Sequence, residues 1–507
     1  ILPVDLGDFI FFAFLTLALA LYRPGWVFLF FVGTIMIENV NLAPVELGIA
    51  VRPYQFFGGL VILALGIRFF TKKLNFNLVR LNIYDWLVIL LGATSFVSAI
   101  FSNNIGVSLK QSIVLLSFIF LYLLVRNYVQ SLEDVKKIMP FFLSSSAAVV
   151  LYGIWQNVRF AQKLSDFEVM PGRPNGTFTE ADWYGIFLAF LLAVIYALIY
   201  FSNDKNADSR LEISNKIRIS PNQILKIFLF IFLVLIFIAL ILTVSRSAWL
   251  GALAVTFIFL VVVFTDLKFD LRSWQWKKTA WIKIPILLAA ALSMALVYAL
   301  NLTSFQLFNR VQSTGTGLQE ITISCENGAG DWKSVPVADP LVIENTNELD
   351  QYHCRHINLE DIEREAAEGR FVTVAFRKDP NVNIRAEIYK KSWEEIKRNS
   401  VLGIGWGNIS DVLGRDERGA GLNSSNIFLE TWLGAGILGF LAFVAIWIGV
   451  IIRALRLFLN DSLEMKTVGM FLFLGSVAII VPNLFNAGIM LGFFWLFLGS
   501  TFINKEK

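Results

Sequence analysis

Arg246 lies at a point where two long apolar runs of the chain meet. The sequence ILTVSRSAWLG places it between Ser245 and Ser247, with apolar runs at 227–244 and 248–264 on either side. Each run is about as long as a membrane-crossing helix, which takes roughly 17–25 apolar residues. A guanidinium group binds phosphate oxygens through two parallel hydrogen bonds. An arginine at a membrane boundary therefore suits the phosphate or diphosphate headgroup of a lipid-linked molecule.

A second arginine, Arg173, stands in a similar place in the sequence MPGRPNGTFTEADWYG. It precedes another apolar run, at 183–201, and is followed by two carboxylates, Glu180 and Asp182. The competing interpretation for Arg173 and Arg246 is structural. In that interpretation either arginine reaches from the bilayer edge to water, or pairs with a carboxylate such as Glu180 or Asp182. Both interpretations stay open on the sequence of these two stretches.

The composition of the chain indicates the solvent that surrounds these arginines. Of 507 residues, 56% are hydrophobic, 47 are phenylalanine and only 16% are charged, against about 25% charged residues in ordinary globular proteins. Backbone groups in lipid must be paired within helices or closed barrels, and the apolar runs do not alternate as barrel strands would. We therefore predict an all-α polytopic membrane protein with about 12–13 transmembrane helices. The modest net charge of +4 gives no sign of a nucleic-acid partner.

The apolar runs predict where the membrane spans lie. The predicted spans are 9–22, 25–37, 54–70, 85–101, 108–125, 138–157, 183–201, 226–244, 248–264, 284–302, 426–452, 467–482 and 487–503. The first two are short enough to form one re-entrant hairpin. The chain begins at Ile1 with neither the basic region nor the cleavage site of a signal peptide, so we expect its true start to be missing.

Lysine and arginine are concentrated in alternate connections between these spans. Cytoplasmic loops are enriched in these residues, which predicts a cytoplasmic position for the connections near 68–80, 126–137, 205–226, 268–283 and 453–466. The remaining connections then face outward, including those that carry Arg173 and Arg246 and the long segment 303–425. Arginines that remain on the depleted, outward side are the first sign of a function there.

The long outward segment divides the chain. We predict a transmembrane bundle at 1–302, an outer loop at 303–425 and C-terminal transmembrane helices at 426–507. Within the loop, about 313–380 is predicted to form an inserted α+β subdomain. Its stretches EITISC, KSVPV and RFVTVAF alternate like strands, and LEDIEREAAEG is typical of a short helix that ends at Gly369.

An amphipathic helix at about 383–398 follows this subdomain. Ile384, Ile388 and Ile396 recur at helical spacing, so one face is predicted to pack on the membrane domain or on the bilayer surface. Arg385 flanks this apolar stripe on the first turn. The sequence LGIGWG after the helix predicts a glycine-rich turn.

The two cysteines of the chain, Cys325 and Cys354, both lie in the predicted subdomain. A cysteine pair in an oxidising compartment indicates a disulfide. The alternative is a zinc site, because His353 and His356 flank Cys354 in the sequence HCRH. Zinc takes about four ligands, but the adjacent His353 and Cys354 would point apart. We therefore predict a disulfide.

Four stretches give the chain a resemblance to the O-antigen ligase and polymerase superfamily, the Wzy_C-domain proteins. They occur in the family's order and are GRPNGTFTEADWYGIFLAFLL, LTVSRSAWLGAL, IRAEIYKKSWEEIKRNSVLGIGWGN and NSSNIFLETWLGAGILGFLAF. Each motif alone is weak, but the order of all four, with a long outer loop between the second and the fourth, is fairly specific. The resemblance covers roughly residues 140–500, and the spans before it are similar only in hydropathy.

The resemblance implies a metal-independent transfer of a glycan from an undecaprenyl-diphosphate carrier on the outer face of the bacterial cytoplasmic membrane, with no cofactor. Carried over to this chain, the diphosphate-binding residues are Arg173, Arg246 and Arg385. Departure of a diphosphate leaves negative charge that preorganised cations stabilise. The acceptor implied by the superfamily is another glycan, a lipid such as the lipopolysaccharide core, or a protein hydroxyl.

The chain departs from the family at the start of the helix after the outer loop. Ligases of the family usually carry a histidine directly before the asparagine, and here Ser424 and Ser425 precede Asn426. Serine and asparagine are good helix N-caps, which is the interpretation we favour for these residues.

A general base must then come from elsewhere, unless the reaction follows a dissociative route with little need of one. The candidate catalytic residues are Glu430, one turn into the same helix, then Glu180 and Asp182, with Ser425 at the position of the missing histidine.

Two other classes of function remain open on the sequence. A flippase for lipid-linked oligosaccharides is also polytopic, but it is expected to carry its cations along a central cavity within the spans. A non-catalytic scaffold or receptor in envelope assembly is the third class, and the missing histidine keeps it open. Within the enzyme class, the motifs are shared by polymerases, ligases and protein O-oligosaccharyltransferases.

Overall fold

A computed structural model describes most of the chain. The described residues are 5–44, 46, 50–74, 77–162, 164, 172–202, 221–265, 276–302, 318–326, 342–344, 346–357, 362–378, 380–415 and 421–502. The chain forms two compact units, the first made of Ile1–Leu302 and Lys391–Lys507 and the second of Thr303–Lys390.

The first unit begins with ten helices that follow the predicted spans. They are α1 (Leu6–Tyr22), α2 (Pro24–Thr34), α3 (Pro53–Phe70), α4 (Ile83–Ile100), α5 (Ile105–Tyr128), α6 (Leu132–Ala161), α7 (Ala181–Ser202), α8 (Pro221–Leu242), α9 (Arg246–Thr265) and α10 (Trp276–Ala299). Helix α7 is the most enclosed of the membrane spans found in the described residues, with 78% of its apolar window buried inside the protein. It is therefore the centre around which α8, α9 and the C-terminal helices pack.

The second unit is a small four-stranded sheet with helices. Its elements are β1 (Leu318–Cys325), β2 (Val342–Ile343), β3 (Cys354–His356), α11 (Ile362–Ala367), β4 (Phe371–Lys378) and the first part of α12 (Pro380–Arg398). The strand order is β2-β4-β1-β3, with β1 antiparallel to both of its neighbours. Two of the predicted strands and the short helix are present, whereas KSVPV lies outside the described residues.

The chain re-enters the first unit in α12 and completes it with α13 (Ile409–Leu413), α14 (Ile427–Phe458), α15 (Leu463–Asn483) and α16 (Gly492–Thr501). In the described part of the chain, ten helices are long and apolar enough to cross a membrane, so the prediction of an all-α polytopic membrane protein is confirmed. Three further predicted spans are apolar but short: α1 has 17 residues, α2 has 11 and α16 has 10. A 3-10 turn at Gly488–Met490 shortens the last of them.

The helices of the first unit run between the two ends of a bundle. We name these the Arg173 end and the Lys136 end. At the Lys136 end, the Lys136 ammonium lies 3.1 Å from the Glu464 carboxylate, which joins the starts of α6 and α15. Nearby, the buried Arg126 guanidinium pairs with Asp85 at 3.0 Å and donates to the Phe502 carbonyl at 2.5 Å. The Arg173 end comprises the described connections at 35–44, 50–52, 172–180, 243–245, 399–415, 421–426 and 484–491, which hydrogen bonds described below bring together.

Helix α14 contains a break that the sequence does not reveal. Gly436 has φ 68° and ψ −175°, so the helical hydrogen bonds are interrupted there. The freed groups are paired with the glycine-rich turn before α13: the Ile404 amide donates to the Leu433 carbonyl at 2.7 Å, and the Ile437 amide donates to the Ser400 carbonyl at 3.1 Å. The predicted LGIGWG turn therefore lies against the broken helix and completes its backbone pairing.

We predict that Gly436→Ala destabilises the membrane unit by at least about 2 kcal/mol, because a non-glycine residue at positive φ is strained. Its Cβ atom would also overlap the Val401 carbonyl oxygen. Thermal unfolding in detergent measures the effect. The matched control is Gly66→Ala in α3, whose Cβ atom would meet nothing within 4 Å. A Gly436→Ala variant that melts together with the wild type would contradict the strain at this break.

The two cysteines lie opposite each other on β1 and β3 and are joined by a disulfide. They are 29 residues apart in sequence, and closing a loop of this length stabilises a fold by about 3–4 kcal/mol in the chain-entropy view. We predict that intact mass under non-reducing conditions shows no free thiol, and that Cys325→Ala/Cys354→Ala loosens the second unit in limited proteolysis. Two free thiols together with stoichiometric zinc in metal analysis would favour the zinc alternative.

Candidate functional site

The loop that carries Arg173 is fixed by two buried amide side chains from the end of α6. The Asn157 side chain donates to the Gly172 carbonyl at 3.2 Å, and the Gln156 side chain accepts from the Gly176 amide at 2.8 Å. Gly176 has φ 57°, a conformation that glycine adopts without strain. These hydrogen bonds fix the loop in the position that precedes the start of α7.

The Arg173 side chain joins this loop to the Ser-Arg-Ser corner. It is only 9% exposed. Its Nε donates to the Thr243 carbonyl at 3.0 Å, and its Nη2 lies 3.3 Å from Asp182 Oδ1. The structure thus brings Arg173, Asp182 and the chain just before Arg246 into one cluster. Arg173 therefore forms the pair with Asp182 that the structural interpretation of the sequence allows.

The corner between α8 and α9 places Arg246 at the first position of a helix. Val244 has φ 50°, which ends α8, and the Ser245 hydroxyl caps α9 by accepting from the Ala248 amide at 3.4 Å. The same hydroxyl donates a short hydrogen bond to Asp182. Asp182 therefore holds Arg173 and the corner together, and Arg246 follows the cap directly, half-buried.

A polar connection continues from the corner to the turn between α15 and α16. Ser247 Oγ lies 3.3 Å from Ser245 Oγ and accepts from the Asn486 side chain at 2.9 Å. The Asn486 side chain also donates to the Pro482 carbonyl at 3.0 Å. Sequence reasoning missed Asn486. Its one signal is an amide side chain inside the apolar stretch PNLFNAG.

The start of α14 lies on the same turn. Asn426 caps the helix, because its Oδ1 accepts from the Phe428 amide at 2.9 Å, and its amide nitrogen donates to the Leu484 carbonyl at 3.2 Å. Ser425 has φ 49°, which bends the chain into the helix. The N-cap interpretation of this segment agrees with these contacts. Turn 484–486 therefore contacts both the Ser-Arg-Ser corner and the helix that carries Glu430.

Glu430 is 9% exposed and faces back toward the start of its own helix. Its carboxylate accepts from the Ser424 backbone amide at 2.7 Å. This contact closes the turn before the helix, which is a structural task. It also fixes one carboxylate oxygen at the Arg173 end of the bundle.

The two remaining predicted residues differ from this group. Glu180 is exposed at the start of α7, where its carbonyl accepts from the Tyr184 amide at 3.1 Å. Arg385 lies in the first half of α12, within the second unit. Its part in diphosphate binding stays a prediction.

A buried ion pair that sequence reasoning missed supports the Arg173 loop. Glu38 is 2% exposed, and its carboxylate lies 2.6 Å from Arg52 and accepts from the Tyr54 hydroxyl at 3.0 Å and the Gly492 amide at 2.8 Å. The Glu38 backbone amide donates to the Thr177 carbonyl at 2.9 Å. Burial raises the pKa of the Glu38 carboxyl, and Arg52 opposes the rise. The sequence signal was a lone glutamate in an apolar segment.

Part of the chain is similar to a known protein family. Residues 231–444 match the family model described as O-antigen ligase. The match contains Arg246, Arg385 and Glu430 and begins after Arg173 and Asp182. A search of curated proteins finds no match. The matched segment contains the Ser-Arg-Ser corner and the broken helix α14, and the family match supports the resemblance to the O-antigen ligase and polymerase superfamily.

Proposed function

We propose that this protein transfers a glycan from an undecaprenyl-diphosphate donor to an acceptor, without a metal ion, at the outer face of the bacterial cytoplasmic membrane. The O-antigen ligase domain supports glycan transfer in general. The Arg173 end is the outward end in this proposal, because the opposite end holds the lysine-rich connections. The segment 303–425 is also taken to face outward in this proposal.

The observation that carries the proposal is the contact between Arg173 and the Ser-Arg-Ser corner. Residues 70 positions apart meet where the Arg173 Nε donates to the Thr243 carbonyl. Two arginine motifs consequently share one end of the bundle, beside the helix start that carries Glu430. A diphosphate has several oxygens in two groups, and more than one guanidinium is needed to match them.

The fixed position of the Arg173 guanidinium would help the proposed reaction. Breaking the bond between a sugar and a diphosphate develops negative charge on the departing group. A cation stabilises that charge best when it is already in place and need not reorganise. Thr243 and Asp182 hold the Arg173 guanidinium in this way, and in the proposed reaction the arginines take the role that a divalent ion takes in other enzymes.

The general base in this proposal is Glu430. Asp182 already uses Oδ1 to hold Arg173 and Ser245, so its task is to position the arginine. Glu180 is exposed to solvent at the edge of the site. Glu430 is enclosed and held in place by Ser424, and in this proposal its carboxylate accepts a proton from an acceptor hydroxyl.

We predict that Arg246→Ala lowers glycan transfer by at least about 100-fold, the usual effect of removing one charge-stabilising group. The measurement is transfer from a purified lipid-linked glycan by the reconstituted protein. Arg173→Lys should keep the charge but lose the paired hydrogen bonds, and so recover only part of the rate. Arg173→Ala is less informative, because it leaves the Asp182 carboxylate without this partner and costs stability.

The matched control is Arg159→Ala, at the same end of the bundle. Arg159 lies over the Trp155 ring at 5.0 Å and donates to the Leu164 carbonyl at 2.9 Å. Its removal should leave transfer near the wild-type rate. If Arg246→Ala retains most of the activity while the protein stays folded, the diphosphate assignment fails for that residue. Movement of the lipid-linked glycan across vesicles without transfer would favour the flippase alternative.

We predict that Glu430→Gln abolishes the pH dependence of transfer and lowers its rate, because glutamine keeps the shape but cannot accept a proton. The assay is the transfer rate across pH 5–9, with Glu180→Gln and Asp182→Asn measured in parallel. Turnover by Glu430→Gln at the wild-type rate over this range would exclude Glu430 as the base. Neutral results for all three would favour the dissociative route.

Glycan analysis of cells that lack the gene identifies the acceptor class. Shortened chains indicate a polymerase, full-length chains that stay unattached indicate a ligase, and proteins that lack their glycan indicate an oligosaccharyltransferase. The superfamily motifs are shared by these three, so the distinction depends on the acceptor and not on the arginines.

A further inference from the structure

A cavity of about 690 Å³ opens at the Lys136 end, far along the helices from the arginine site. Four chain segments form it: the turn between α1 and α2, and the ends of α3, α5 and α6 that meet there. The lining residues are Tyr22, Arg23, Pro24, Gly25, Trp26, Phe28, Leu29, Arg68, Tyr128, Asp134, Lys137 and Ile138. Its volume is in the range of about 300–1,000 Å³ typical of small-ligand sites.

The charges on the cavity wall are mainly positive. Arg23, Arg68 and Lys137 face one carboxylate, Asp134. Asp134 is already engaged, because its carboxylate accepts from the Ser131 backbone amide at 3.1 Å in the cap of α6 and lies 3.5 Å from Lys137. Among the residues that the structure describes, neither Arg23 nor Arg68 forms an ion pair. Once Lys137 is matched with Asp134, the guanidinium groups of Arg23 and Arg68 remain as two positive charges on the wall. The cavity therefore suits an anion.

The rest of the wall is apolar and aromatic. Phe28 and Tyr128 stack with ring centroids 4.3 Å apart and form one side. Tyr22 and Trp26 are 73% and 54% exposed, where amphipathic rings lie at a membrane surface. The Arg23 guanidinium lies 5.3 Å from the Tyr22 ring centroid. A free phosphate would use the arginines alone, whereas a lipid would use both the arginines and this aromatic wall.

We propose that this cavity binds an anionic phospholipid of the leaflet at the Lys136 end, its phosphate held by Arg23 and Arg68. The acyl chains lie along Phe28, Leu29 and Ile138 toward the bilayer. Basic pockets between membrane helices are the usual sites for such headgroups. The proposal does not depend on glycan transfer, since it concerns the opposite end of the bundle.

The test uses the full-length protein in neutral detergent and native mass spectrometry, with phosphatidylglycerol and phosphatidylcholine of equal chain length as probes. Wild-type protein should retain one phosphatidylglycerol in preference to phosphatidylcholine. Each interfacial arginine contributes roughly fivefold to such binding, so Arg23→Gln/Arg68→Gln should bind about 25-fold more weakly. Arg23→Lys/Arg68→Lys keeps the charge and should retain most of the binding.

The matched control is Arg80→Gln/Arg456→Gln, which removes two exposed arginines at the same end that do not line the cavity. This variant should bind phosphatidylglycerol as the wild type does. Equal loss in both glutamine variants would overturn the site, because the effect would then be one of surface charge. Displacement of the lipid by inorganic phosphate at equal concentration, or equal retention of phosphatidylcholine, would also overturn it.

Discussion

The requirement that every backbone polar group in a membrane find a partner governs the structure. Lipid offers no hydrogen bonds, so an interrupted helix is costly unless protein groups replace the missing ones. At Gly436 the backbone groups freed by the break in α14 are hydrogen-bonded to the Ser400 carbonyl and the Ile404 amide. The glycine-rich turn consequently supplies hydrogen bonds that the helix itself lacks at the break, although it precedes the helix in sequence. The same requirement favours irregular backbone at the ends of the bundle, where loops can pair with one another.

Charges in the membrane unit follow a similar rule. Arg173 pairs with Asp182, Arg52 with Glu38, and Arg126 with Asp85. A buried ion pair contributes little net stability, but it is expensive to break because the remaining charge is left in a poor solvent. The pairs therefore fix positions more than they add free energy. For Arg173, a fixed position is what the proposed stabilisation of a departing diphosphate would require.

The sequence predicted the elements better than the contacts between them. Apolar runs located the spans, because length and hydropathy decide membrane insertion over short stretches of chain. The carboxylates after Arg173 were recognised as possible partners, since they are near it in sequence. Asn486 and Glu38 were missed because each is a single polar residue whose partner lies in a distant segment. The break at Gly436 was equally hidden, because its cause is the approach of Val401 and Leu402, not a local preference.

The contact between Glu38 and Gly492 joins residues 454 positions apart. Ribosomes add about 5–20 residues per second, so this glutamate enters the membrane tens of seconds before its partner is synthesised. Until then its carboxylate has Arg52 and Tyr54 as partners but lacks the Gly492 amide, and the Arg173 loop that contacts its backbone has an incomplete support. The Arg173 end of the bundle is therefore completed only after the chain at the start of α16 has been synthesised.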